Sequence, residues 1–148
     1  MISPHALSLT IAAAAIAERR FTARALADAQ LACIDATDSQ IDAWATLNRA
    51  HVRAEADRCD LADAAGLLAG IGIGVKDIIA TRTLATGMGS PIFAEHASAA
   101  DAVCVTRLLA SGGYVFGKTV TTEFAFMHPG KTRNPWNVAH TPGGSSSG

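Results

Sequence analysis

The chain has 148 residues, of which 49% are hydrophobic and 17% charged, and its formal net charge is −1. That length and composition suit one globular domain with a sizeable core and exclude the disordered class. A near-neutral balance gives no reason to expect nucleic acid or an anionic membrane as partner.

Cys33, Cys59 and Cys104 are an odd, widely spaced set without a C-x-x-C motif. Such a set fits reduced thiols in a cytoplasm better than a secreted disulfide scaffold. The start, Met1-Ile2-Ser3-Pro4-His5, lacks the basic region of a signal peptide. The apolar run after it reaches Glu18-Arg19-Arg20 too soon to span a bilayer. The expectation is a soluble, cytoplasmic protein.

Ser3 followed by Pro4 predicts a helix start, a hydroxyl N-cap with proline in the first turn. The alanine-rich run from Pro4 to about Arg19 then carries Leu7, Ile11 and Ala15 on one face. Thr22 can cap a second helix, from Ala23 to about Asp35, with Leu26, Ala29 and Cys33 on its buried side. Residues 35–42 read as a polar connection, and 41–47 alternate with the period of a short strand. A third helix is predicted from about Arg49 to Ala64, with Val52, Ala56 and Cys59 facing inward. Residues 1–65 thus read as a helical lead-in, and no motif in them carries chemistry.

The character changes after Ala65-Gly66. Residues 67–73 are apolar and glycine-punctuated, and 75–80 continue as a buried-strand candidate. Residues 83–91 read as a loop. Ser98 to Asp101 resembles a capping box that opens a helix through about Ser111, apolar on more than one side and therefore expected to be buried. Gly112-Gly113 ends that helix, Tyr114-Val115-Phe116 reads as a strand, and Gly117-Lys118-Thr119 leaves it. Helix, glycine turn and strand in that order predict an α/β fold, with 66–148 as the start of its core.

Two stretches suggest chemistry. Gly74-Val75-Lys76-Asp77 places one lysine inside an apolar, strand-like run. Loss of hydration disfavours a charged ammonium and makes the neutral amine available as a base. The competing reading keeps Lys76 charged at the surface, paired with Asp77 or another carboxylate. Thr141-Pro142-Gly143-Gly144-Ser145-Ser146-Ser147-Gly148 clusters hydroxyls and glycines, as a hydroxyl relay needs and as a flexible linker also shows. Lysine beside serine is an established alternative to a histidine base. Gly112 to Thr119 also matches the spacing of a phosphate-binding P-loop. A helix precedes this match and its middle is an apolar strand, so nucleotide binding is disfavoured. The five histidines show no metal-ligand spacing, and no metal or cofactor is expected.

These motifs, in order, resemble the amidase signature family. The resemblance runs through nearly the whole chain and becomes specific from Gly70 onward. Gly74-Val75-Lys76-Asp77 resembles its lysine motif, and Thr86-Gly87-Met88-Gly89-Ser90 its Thr-x-x-Gly-Ser loop. Asp101-Ala102 with the helix ending at Gly112-Gly113, then Gly117-Lys118-Thr119 with Glu123-Phe124, are similar to the next two. Asn134-Pro135-Trp136-Asn137 and Pro142-Gly143-Gly144-Ser145-Ser146 complete the series.

The resemblance implies an amidase-type fold, helices packed around a mixed β-sheet, and a Ser-cisSer-Lys hydrolysis of carboxamides without metal or cofactor. Lys76 would be the general base and Ser145 the cis serine that relays a proton, with Gly144 accommodating the geometry. Ser146 would support the relay and Asp77 would help position Lys76. Met127, His128 and Trp136 fall where the pocket lining is expected. The family nucleophile is a serine beyond Gly148, in a turn that also supplies the oxyanion hole. The expectation is therefore one incomplete amidase-type domain over residues 1–148, an inactive N-terminal fragment of a larger enzyme. A small-molecule amide is the expected partner, a homodimer is admitted, and neither nucleic acid nor a membrane is expected. One alternative is the glutaminase-type subunit of a tRNA-dependent amidotransferase, whose typical Asp-Glu-Phe-Ala-Met-Gly run is here Thr122-Glu123-Phe124-Ala125-Phe126-Met127. That departure favours a free-standing amidase. The remaining alternative is a non-catalytic partner-binding domain.

Overall fold

A computed structural model describes residues 4–62 and 66–148. The fold is α/β: among the described residues are four α-helices and a three-stranded sheet. The elements in order are α1 (Leu9–Ala17), α2 (Ala23–Ile41), β1 (Trp44–Thr46), α3 (Arg49–Leu61), β2 (Gly72–Lys76), α4 (Val103–Ala110) and β3 (Tyr114–Thr119). Strand order is β1-β3-β2. β1 and β3 are antiparallel, with Trp44 opposite Thr119 and an irregularity before Thr46 opposite Lys118. Tyr114 N–H donates to Ile71 O, and Asp77 N–H donates to Thr119 O. Those partners ascend together along both strands, so β2 and β3 are parallel and the sheet is mixed.

The chain divides into two compact units. The first holds Met1–Ala36, Asn48–Ile73 and Thr106–Phe116, and the second Thr37–Leu47, Gly74–Val105 and Gly117–Gly148. In the first unit Ala12, Leu26 and Ile71 form a buried cluster, with Ile16, Phe21 and Leu68 packed against it. Alanines at the contacts, Ala15, Ala23, Ala27 and Ala56, are almost fully buried and let the helices approach closely. The Asp60 carboxylate accepts from Ala23 N–H at 2.8 Å and Arg24 N–H at 3.0 Å, so α3 caps the first turn of α2. Arg24 also bonds Asp28 at 2.8 Å and Asp57 at 2.6 Å, and Arg53 bonds Asp28 at 2.8 Å. The pair of guanidiniums, Arg53 foremost, holds the Asp28 carboxyl below its ordinary range.

In the second unit the chain's last residues pair with the segment that follows β3. Val120 N–H donates to Ala43 O, and Ser147 and Gly148 N–H both donate to Val120 O. Thr121 and Ser146 form an antiparallel bridge beside them. The final glycine-serine stretch is therefore tied into backbone pairing.

Several expectations about element ends are corrected. The predicted cap Ser3 and the helix end at Ala64 lie outside the described residues. Pro4–Ala6 is a 3-10 turn, and Ser8, whose side chain accepts from Ile11 N–H, caps α1. Ile11 is 50% exposed, and Ala12 joins Ala15 on the buried face. α2 runs six residues beyond the predicted end, because the polar residues 35–40 are its outer face and only Asp42, at φ 56, stops it. On α2 the buried positions are Ala23, Leu26, Ala27 and Leu31, while Ala29 and Cys33 are half-buried. β2 ends at Lys76, where Ile79 N–H turns back to Lys76 O. α4 starts at Val103, since the Asp101 carboxylate accepts from Arg82 N–H at 2.7 Å and does not cap the helix. α4 is mostly exposed, with Val103 at 70% and Val105 alone buried. β3 continues through Thr119, past its predicted end at Phe116.

Candidate active site

Lys76 is the last residue of β2, half-buried, and its Nζ donates to Ser145 Oγ at 2.6 Å. The two residues are 69 positions apart in sequence and belong to the same unit. Ser145 is held on its other side, where Thr122 N–H donates to its carbonyl at 3.0 Å and Thr121 Oγ1 does so at 3.2 Å. The Gly144–Ser145 peptide bond is cis. A Cβ on Gly144 would stand 2.7 Å from Thr122 Cγ2, so the position has no room for a side chain. Lys76 therefore ends on a hydroxyl, and the paired-carboxylate reading of it is not what the structure contains.

Asp77, the next residue, is buried and anchors the loop at 86–90. Its carboxylate accepts from Gly87 N–H at 3.1 Å, and its carbonyl accepts from Met88 N–H at 2.8 Å. Gly89 completes that loop at φ +68, where a Cβ would lie 2.8 Å from Thr121 O. Only glycine adopts this conformation at such close approach without cost.

Lys118 faces the same carboxylate. Its side chain is wholly buried, 3.7 Å from Asp77 Oδ1, and it donates to Ile79 O at 2.7 Å and to Thr86 Oγ1 at 2.9 Å. A longer contact reaches Thr81 Oγ1 at 3.4 Å. Burial pushes the Lys118 ammonium down from the ordinary lysine range, and the Asp77 carboxylate opposes that shift. The phosphate-loop reading ends here. Lys118 is enclosed, and the segment after β3 leads into a 3-10 turn at Glu123–Ala125, so no helix N-terminus awaits an anion.

Sequence reasoning did not single out Lys118 for this site. The signal was present: one lysine lies in the mostly buried run from Tyr114 to Val120, a stricter case of the pattern that marked Lys76.

The other expected residues stand apart. Ser146 is exposed, and its backbone pairs with Thr121. Ser147 Oγ donates to Gly143 O at 2.9 Å. Met127 is 81% exposed, Trp136 is 95% exposed, and His128 is exposed, following the 3-10 turn at Glu123–Ala125. A cavity of about 560 Å³ lies in the first unit, lined by Ile16, Arg20, Phe21, Cys59 and Asp60 among others. None of the expected site residues lines it, and its carboxylate is already bonded to α2. Among the described residues no group of three or more His, Cys, Asp or Glu could hold a metal ion.

The Amidase family matches residues 25–148. A glutamyl-tRNA(Gln) amidotransferase subunit from Roseiflexus sp. (strain RS-1) is 37% identical over 153 residues, covering 97% of this chain and 31% of that protein. The native peptide amidase of Stenotrophomonas maltophilia superposes with a TM-score of 0.87 at 30% identity, over 99% of this chain and 34% of that one. A 6-aminohexanoate cyclic dimer hydrolase superposes with a TM-score of 0.82 at 27% identity, over 95% of this chain and 30% of that one. The chain thus spans about a third of the length of the relatives it matches. It belongs to the Amidase family, the amidase signature enzymes.

Proposed function

We propose that this chain is part of an amidase that hydrolyses a carboxamide to an acid and ammonia or an amine by a Ser-cisSer-Lys mechanism. The observation that supports it is the 2.6 Å hydrogen bond from Lys76 Nζ to Ser145 Oγ. With its amine neutral, Lys76 accepts a proton from Ser145, which takes one from a nucleophilic serine as that serine attacks the amide carbonyl. The proton returns to the leaving amine, and water then releases the acid. Asp77 and Ser146 are assigned supporting roles, and Met127 and His128 a place in the pocket.

Residues 1–148 form part of a single amidase-type domain in this reading, with 1–65 as its helical lead-in and 66–148 as the start of its core. The relatives are about three times as long as this chain, and in this reading the nucleophile and the oxyanion donors belong to the longer polypeptide. The substrate is a small-molecule amide, the working form can be a homodimer, and the location is the cytoplasm. A panel of primary and secondary amides, read by ammonia or amine release from the longer polypeptide, tests this reading. No turnover on any amide would remove it.

A second reading, a glutaminase-type member of an amidotransferase complex, is favoured by one observation, the 37% identity to a protein named as a glutamyl-tRNA(Gln) amidotransferase subunit. The run Thr122-Glu123-Phe124-Ala125-Phe126-Met127 weighs toward the free-standing enzyme. Glutamine as the preferred substrate in the same panel would reverse that order.

A further inference from the structure

The buried lysine on β3 has no part in the proton relay, yet it places an enclosed cation in the fold. Burying an ammonium is costly unless its donors are satisfied and its charge compensated. Lys118 meets both conditions with groups from one short stretch of chain, residues 77–86. That stretch leaves β2 directly after Lys76 and holds no helix or strand of its own. Its geometry is therefore set by turn and side-chain hydrogen bonds. Ile79 O accepts from Lys118 and Ile79 N–H bonds Lys76 O, so the cation is two hydrogen bonds from the carbonyl of Lys76 itself. Thr86 N–H donates to His96 O, and Thr86 Oγ1, which accepts from Lys118, adjoins the Gly87 N–H held by Asp77.

We propose that Lys118 is a positioning residue for the relay: it fastens residues 77–86 to β3 and so holds Lys76 against Ser145. The assignment rests on the amidase reading for its effect on rate, but not for its effect on Lys76. Lys118 touches neither the relay hydroxyl nor a reacting atom. It acts through the chain on either side of Asp77, and its loss frees the segment that carries Lys76. A purely structural lysine would instead alter stability and leave the folded protein's turnover unchanged.

The test compares wild type, Lys118→Met and Thr86→Val in the longer polypeptide, each shown to be folded by a cooperative melt. In Lys118→Met, kcat is expected to fall at least about 100-fold with KM within about 3-fold; Thr86→Val, which removes one acceptor, is expected to fall about 10-fold. In parallel, trace acetylation with acetic anhydride, read residue by residue by mass spectrometry, follows Lys76 against the exposed Lys131. Release from Ser145 should raise Lys76 labelling at least about 3-fold while Lys131 stays constant. Unchanged kcat and unchanged Lys76 labelling in a folded Lys118→Met would overturn the assignment. If Lys118→Met does not fold, Thr86→Val decides by the same two readings. If wild type turns over no amide, the amidase reading falls, and the labelling comparison still decides what Lys118 does.

Discussion

Lys76 and Ser145 meet at 2.6 Å although 69 residues separate them, because two different backbone pairings converge on that point. Lys76 ends β2, which pairs with β3 through Asp77 N–H and Thr119 O. Ser145 is tied to the continuation of β3 by Thr121 and Thr122. One strand and its extension thus bring lysine and hydroxyl together, and the predictions for activity follow from that contact.

Replacing Lys76 by alanine in the active polypeptide is expected to lower kcat by about 10³- to 10⁴-fold, the scale of losing a general base, while the fold survives. Steady-state kinetics with a circular dichroism melt checks both halves. Wild-type turnover in the variant would sink the base assignment.

Ser145→Ala removes the relay hydroxyl but keeps Lys76, and the expected loss is about 10²-fold or more in kcat with KM little changed. Combined with Lys76→Ala, the losses should be far from additive, since the two groups act as one unit. Additive losses would mean that the two residues work separately.

Gly89→Ala should destabilise the fold by about 2 kcal/mol, from the left-handed backbone it must keep and the approach to Thr121 O. Urea titration measures this directly. A change below about 0.5 kcal/mol would show that the loop at 86–90 is free to rearrange.

Asp28 is held below its ordinary carboxyl value of 3.8 by Arg53 and Arg24. A depressed folded-state value gives stability that is present above 3.8 and is lost as the pH falls through the folded value. Asp28→Asn should therefore cost about 0.5 kcal/mol at pH 7, small because all three side chains are only half-buried and solvent screens the pairs. The gap to wild type should close in acid, as denaturation at pH 7 and at pH 2 would reveal. A gap that persists at low pH would point to packing in place of charge.

Cys104 is exposed on α4, whereas Cys59 is buried and its thiol is pushed up by loss of hydration. Thiol reagents attack the thiolate, so Cys104 should react with Ellman's reagent in the native protein well before Cys59. Peptide mapping after a short exposure distinguishes them. Equal labelling would mean that the first unit opens readily.

Much of the secondary structure was legible because it rests on local signals. Val52, Ala56 and Cys59 recur at helical spacing and are buried on α3. Thr22 was legible as a cap, and its Oγ1 accepts from Ala25 N–H at 3.0 Å. The ordered motifs from Lys76 to Ser146 were enough to show resemblance to the family that the comparisons identify. Polarity misleads at residues 35–42, which read as a connection although 35–41 continue α2, because a polar run is equally the outer face of a helix. Ser98 to Asp101 reads as a capping box because spacing alone cannot say that the Asp101 carboxylate is taken by Arg82.

Sequence alone determined which residue types could act: a lysine in an apolar run, hydroxyls beside glycines, and no clustered metal ligands. Tertiary structure decided their pairing, since a side chain's partner depends on strands that meet far apart in sequence. It put Lys76 on Ser145 at 2.6 Å and enclosed Lys118 against Asp77, Ile79 and Thr86. Two lysines with similar neighbours in sequence thereby acquired different surroundings, one half-buried on a hydroxyl and the other sealed among a carbonyl, a hydroxyl and a carboxylate. The physical reason is that burial and hydrogen-bond supply are properties of the packed chain, and local pattern sets only which groups are available to be packed.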